Sequence, residues 1–261
     1  MSLVKFEVDG QLGLLTVDNP PLNLMSQGVI DGFEEAVNQA SVADLRALLI
    51  RAEGPHFMGG ADVHIFDGKT GSQARAMFAR SLPVFARLEE LPFPTVVAVQ
   101  GLCLAAGLEV ALSADIVVAG ESAKFAQVER HIGTTTLLGG AQRLAERAGS
   151  ARARQIVFDG DQYSARQFAD WNIINHVVPD AEVAEFAEKL ARRYAAGPTR
   201  AFAAGKALIR GYLDGDMRAA DRAVLESAAP LFDTEDMQTG VKTLLTLGGR
   251  NFLGKAEFKG R

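Results

Sequence analysis

Residues 99–120, VQGLCLAAGLEVALSADIVVAG, decide the fold class. They are entered from an apolar, β-branched run, Thr95–Val99, that reads as a strand. Small residues at Ala105, Ala106 and Gly107 then open a short helix, and Ile116–Ala119 reads as the next strand. Strands alternating with helices predict a largely parallel sheet system, because parallel neighbours need a crossover and a helix is the usual one. The alternation extends toward the N-terminus. Leu3–Val8 and Leu12–Val17 read as a hairpin turning at Asp9-Gly10. After Asn19-Pro20-Pro21, Ser26 is placed to cap a helix with apolar positions at Val29, Phe33, Ala36, Val37 and Ala40. Leu45–Ile50 reads as a buried strand, and Ser72–Leu91 as a helix that Pro83 should kink or split.

From about Asp180 to Arg250 alanine and charged residues dominate, which predicts several amphipathic helices with breaks at Gly197-Pro198, Gly211 and Gly215. The end, NFLGKAEFKGR, is too apolar at Phe252, Leu253 and Phe258 for a free solvated tail, so it is expected to dock. With 48% hydrophobic and 23% charged residues in 261, the chain can bury a sizeable core, and wholesale disorder is excluded. Lysine and arginine number 27 against 32 acids, and the net charge of −5 argues against a nucleic-acid partner. A single cysteine, Cys103, excludes an intrachain disulfide and a multi-cysteine zinc site, and is expected in the core. MSLVKFEVDG lacks the features of a signal peptide, and no apolar run approaches the ~18 residues that span a bilayer. The expectation is a cytoplasmic protein with no membrane partner.

Two segments carry chemistry. In HFMGGADV, His56 to Val63, adjacent glycines follow a buried strand and let backbone amides approach a ligand; a tight strand-to-helix loop fits the same residues. Neither GxGxxG nor GxxxxGK[ST] occurs there, so no dinucleotide or P-loop fingerprint applies. In the second segment, Gly101 to Glu109, the first helical amides lack internal partners, so an amide near Ala106 can stabilise an oxyanion; close helix packing through small residues is the alternative. Glu109, three or four residues into that helix, and Glu129, 20 residues on, are the candidate acid and base. Two carboxyls in unlike environments can divide those roles, although spacing does not say whether they converge. Histidine is the side chain whose unperturbed titration falls near neutrality, which makes His64 and His131 weaker candidates for acid/base roles.

Taken together, HFMGGADV, VQGLCLAAGLEVALSADIVVAG and KFAQVER…IG…GGAQRLAERAG resemble, in order and spacing, three motifs of the crotonase (enoyl-CoA hydratase/isomerase) superfamily. NPPLNLMS, VVPD at 177–180 and LFDTEDMQTG fit the same pattern, so the resemblance covers essentially the whole chain. It implies an α/β fold: a spiral of ββα units over residues 1–197 that holds an acyl-CoA site, then a C-terminal helical trimerisation region over 198–261. It further implies a homotrimer or dimer of trimers, an acyl-CoA thioester substrate, and no metal or cofactor beyond the CoA of the substrate.

Carried over residue by residue, the resemblance makes the amides of Ala61 and Ala106 the oxyanion hole, and Glu109 and Glu129 the catalytic pair of an enoyl-CoA hydratase. It implies CoA contacts at Leu24, Gly60, Ala61, Asp62 and Val63, and from Phe252 and Lys255 in the tail. Phe57, Met58, Leu82, Phe85, Leu137 and Leu138 are candidates to line the acyl pocket, and a core role fits them as well. Two departures stand out. Ala105-Ala106-Gly107 replaces a glycine-rich triplet and crowds the thioester with two methyls. Thr136-Leu137 replaces a proline–glycine pair beside the water site, which would narrow the acyl pocket or displace the water. The alternatives on this scaffold are a Δ3-Δ2 enoyl-CoA isomerase, an acyl-CoA hydrolase, and a catalytically weak CoA- or RNA-binding protein.

Overall fold

The computed structural model describes residues 2–261. In chain order the elements are β1 (Val4–Asp9), β2 (Leu12–Val17), α1 (Gln27–Val42), β3 (Ala47–Ala52), α2 (Gly71–Glu90), β4 (Thr95–Val99), β5 (Leu102–Leu104) and α3 (Ala106–Leu112). They continue as β6 (Ile116–Gly120), β7 (Lys124–Ala126), α4 (Gly140–Asp159), β8 (Tyr163–Ser164), α5 (Ala165–Asp170), β9 (His176–Val178) and α6 (Val183–Ala195). The last are α7 (Thr199–Asp214), α8 (Met217–Ala223) and α9 (Glu235–Leu247), with short helical turns between them. This is the α/β class expected, with the spiral of strand and helix units.

Six strands form the main sheet in the order β1-β2-β3-β4-β6-β9, antiparallel only at the β1–β2 hairpin. The small sheet β5-β7-β8 lies apart from it in pairing, with β5 parallel to β7. The central strands are continuous apolar runs because both faces of the main sheet are covered. Alternate residues divide between two cores. Leu48, Ile50, Val97 and Val99 join α1 and α3 in the larger one, whereas Ala47, Leu49, Val96 and Ala98 meet Val183, Ala187, Leu190 and Ala191 of α6.

Local chemistry sets the helix starts. Ser26 Oγ accepts from the Val29 amide, and Thr70 with Gln73 makes a reciprocal capping box at α2, each such cap contributing about 1 kcal/mol. Of the two outcomes expected at Pro83, a kink or a split, the split does not occur. The proline stands at an exposed position, where water can replace the bond that proline removes, and the helix runs on to Glu90. Gly211 likewise is no break: it sits inside α7, where α8 approaches with the Ala220 Cα 3.5 Å from where a methyl would stand.

The C-terminal helices are tied to the sheet by buried and half-buried polar bonds. Arg46 donates to Thr199 Oγ1 at 3.0 Å and to the carbonyls of Gly197 and Phe258 at 2.5 and 3.1 Å. Lys206 bonds Asp115 at 2.8 Å. The tail docks on its own chain, where the amides of Lys259 and Gly260 donate to the buried Asp236 carboxylate at 2.6 and 2.8 Å. No helix of the described residues is long and apolar enough to cross a membrane.

Candidate active site

The loop after β3 runs beside β5 as a short parallel ribbon. Met58 N donates to Leu102 O, and Leu104 N to Met58 O, each at 3.0 Å. One turn of chain later, Met25 N bonds Gly60 O at 2.8 Å and Asp62 N bonds Met25 O at 3.1 Å. In a parallel bridge of this kind the residue between the two bonded groups points its own amide the other way. That residue is Ala61. Its N–H has no acceptor among the described residues, and Ala61 lines a cavity of about 190 Å³.

Ala106 opens α3 on the opposite wall. The α3 dipole and its unpaired first-turn amides favour negative charge, and the Ala106 N–H also lacks an acceptor among the described residues. The two walls meet because position 107 is glycine: a methyl there would fall 2.5 Å from the Met58 carbonyl oxygen. Ala105 precedes the helix with φ +48° and ψ −119°, a conformation that costs a residue with a side chain of order 1–3 kcal/mol. Both alanines line the cavity, so the two methyls are placed at its wall.

Glu109 is one turn into α3, 2% exposed, with Oε1 accepting from the amides of Leu138 and Gly140, each at 2.8 Å. Oε2 has no partner among the described residues. Burial pushes the carboxyl up to about 7, against the opposing pull of those two amides; Glu129 adds to the rise and Arg143 resists it. Glu129 stands on the helical turn after β7 and lines the same cavity, so the two acids do converge. Its carboxyl is also raised by burial. With the Gln127 amide oriented to satisfy both groups, its nitrogen donates to the two Glu129 oxygens at 2.6 and 3.0 Å.

Around this pair, Gly60, Ala61, Val63, Leu137 and Leu138 line the cavity. Four acyl-pocket candidates do not. Phe57, Met58 and Phe85 are 0–1% exposed inside the larger core, and Leu82 is 40% exposed. One step around α2, Met77, Phe78 and Ser81 take their place, joined by Ile30 and Phe66. Leu24 is beside the site, against Gly59, rather than in it. The Asp62 carboxylate is occupied by the amide and ring of His64 at 3.1 and 2.7 Å.

Phe252 and Lys255 form a turn of the tail and are not part of the cavity wall of their own chain. His64 is exposed beside Asp62, and His131 reaches only the Gly160 carbonyl, at 3.3 Å. Cys103 is buried in the core, as expected. Thr136 uses its hydroxyl to accept from the Ala141 amide at 3.1 Å at the start of α4. Among the described residues no three His, Cys, Asp or Glu side chains lie together as metal ligands would.

Comparison with known proteins matches residues 7–252 to the family model described as Enoyl-CoA hydratase/isomerase. A Bacillus subtilis protein named "probable enoyl-CoA hydratase" is 27% identical over 258 residues, 98% of this chain and 100% of that one. The 1,2-epoxyphenylacetyl-CoA isomerase of Escherichia coli is 32% identical over 205 residues, 76% of this chain and 78% of that one. The crystal structure of enoyl-CoA hydratase subunit I from Geobacillus kaustophilus superposes with a TM-score of 0.90 at 25% identity, covering 99% of this chain and 98% of that one.

Proposed function

The chain belongs to the enoyl-CoA hydratase/isomerase family, and from that membership we propose that it adds water syn across a trans-2-enoyl-CoA to give the 3-hydroxyacyl-CoA. The observation that carries this reading is the convergence of two carboxyls and two unpaired amides on one cavity. Attack of water at C3 pushes electrons onto the thioester oxygen. The amides of Ala61 and Ala106 are the donors for that developing enolate, and one such donor is typically worth ~3 kcal/mol of barrier. Glu109 offers Oε2 to the water and accepts its proton; a carboxyl titrating at about 7 is half ionised at neutral pH and basic enough for the task. Glu129, raised by burial and held by Gln127, delivers the proton to C2.

The CoA lies across Leu24 and the Gly60–Val63 backbone in this reading, with Asp62 contributing its main chain. Phe252 and Lys255 reach the nucleotide of a neighbouring subunit. Residues 198–261 serve as the oligomerisation region of a homotrimer or dimer of trimers, for which Ile209, Leu225, Phe232 and Leu245, each more than 60% exposed, provide an apolar surface. The protein works in the cytoplasm, without cofactor, metal, nucleic acid or membrane.

A second reading is isomerisation, favoured by the name of the Escherichia coli relative. There one glutamate would shuttle a proton between carbons and the other would be dispensable. Glu109→Gln and Glu129→Gln tested on a panel of 2-enoyl-CoA and 3-enoyl-CoA thioesters separate the two. Hydration predicts that each variant loses about 10²–10⁴-fold in turnover. Wild-type turnover in both variants would sink the acid/base assignment, and loss in only one would favour isomerisation.

A further inference from the structure

Beside the cavity, Glu89 of α2 and Arg143 of α4 form a two-pronged pair, Nε to Oε1 at 2.6 Å and Nη2 to Oε2 at 2.8 Å. Their side chains are 12% (Arg143) and 30% (Glu89) exposed. The third arm of the guanidinium, Nη1, donates to the Leu138 carbonyl at 2.7 Å. Leu138 is also one of the two residues whose amides hold Glu109, and Gly140 is the other. The turn is therefore gripped from both sides, by Arg143 at a carbonyl and by Glu109 at two amides. Gly139 between them has φ +102°, and a methyl there would overlap the guanidinium, so the turn is shaped around this arginine.

Stability alone gives little reason for such a pair, since buried ion pairs can often be replaced by apolar side chains at no cost. Its position suggests another role. Arg143 is joined on α4 by Arg147, which donates to the Leu112 and Ala114 carbonyls at 3.0 and 2.7 Å and so fixes the far end of α3. Glu89 extends the connection to α2, whose Met77, Phe78 and Ser81 line the cavity.

We propose that Glu89 and Arg143 are positioning residues for Glu109: they fix the Leu138–Gly140 turn so that its amides hold Oε1 and Oε2 is left for the reacting water. The role in catalysis rests on the hydratase reading; the grip on the turn does not. The charged groups around Glu109 are Glu129 from the turn after β7, Arg143 from α4 and, behind it, Glu89 from α2.

The test uses the full chain labelled with carbon-13 at the glutamate carboxyls, with Glu109→Gln assigning the resonance of Glu109. In Arg143→Met the titration midpoint of Glu109 should rise by about one pH unit, because a cation and ordered amide donors both favour the ionised form. Arg143→Lys keeps the charge without the fork and should rise less. In Glu89→Gln, hydrogen exchange at the Leu138 and Gly140 amides should quicken about 10-fold. On an enoyl-CoA substrate, kcat should fall about 10- to 100-fold in these variants with KM little changed. Folded arginine variants with an unmoved midpoint would overturn the proposal for Arg143, and unchanged exchange would overturn it for Glu89. If the wild type hydrates no enoyl-CoA, the hydratase reading fails while the midpoint and exchange still decide the grip on the turn.

Discussion

Glu109→Gln should make the protein more stable and less active, and the gain should depend on pH. Glutamine keeps the oxygen that accepts from Leu138 and Gly140 and removes the buried charge. In the folded chain the Glu109 carboxyl ionises at about 7, against an ordinary 4.5. A carboxyl raised in this way binds its proton more tightly folded than unfolded, so the wild type loses stability as pH rises from 4.5 through about 7 and loses no more beyond it. The full cost is about 3 kcal/mol, most of which accrues between pH 5 and pH 8.5. Urea unfolding of both proteins at those two pH values, at fixed protein concentration, measures it. The stability difference, variant minus wild type, should grow by about 2–3 kcal/mol toward alkaline pH. Glu129, present in both, largely cancels. A difference that stays the same at the two pH values would refute the raised ionisation of Glu109.

Other substitutions probe the remaining parts of the site and scaffold. Ala105→Gly should stabilise the chain by about 1 kcal/mol in urea, since φ +48° is strained for alanine and open to glycine; destabilisation would show that the conformation is not strained. Leu137→Ala should enlarge the cavity and raise kcat/KM for longer acyl chains relative to short ones by about 10-fold; an unchanged chain-length profile would remove Leu137 from the acyl pocket. Arg46→Met should cost about 2–3 kcal/mol, because the Gly197 and Phe258 carbonyls lose their donor. Limited proteolysis should then cut first near the tail, and a tail still protected in the variant would count against its docking through Arg46.

Much of the fold was legible because it rests on local signals. Ser26 as a cap, Leu12–Val17 and Thr95–Val99 as strands, and the helix opening at Ala106 all appear where pattern and propensity place them. Pro83 does not end α2 because the rule concerns the bond that proline removes, and at an exposed position water can replace it. The acyl pocket was misread for a different reason. Helical spacing identifies an apolar face of α2 without saying which part meets a core and which a cavity, and the two differ by one step, from Leu82 and Phe85 to Met77, Phe78 and Ser81. Glu109 and Glu129 could be named but not brought together, since convergence depends on the Leu138–Gly140 turn and the course of the chain after β7. Gln127 and Arg143 left only faint signals. The one sits two residues before a candidate acid at a strand end; the other lies three residues into α4, behind paired glycines.

Incubation with a series of trans-2-enoyl-CoA thioesters in oxygen-18 water, followed by mass spectrometry of the CoA products, tests the proposed hydration most directly. Hydration predicts one heavy oxygen retained on the acyl group of an intact CoA thioester, in amounts that fall with Glu109→Gln and with Glu129→Gln. Heavy oxygen appearing only in free acid would mean thioester hydrolysis. Unlabelled product from every thioester, with 3-enoyl-CoA converted to 2-enoyl-CoA, would contradict hydration and leave isomerisation as the reaction of this site.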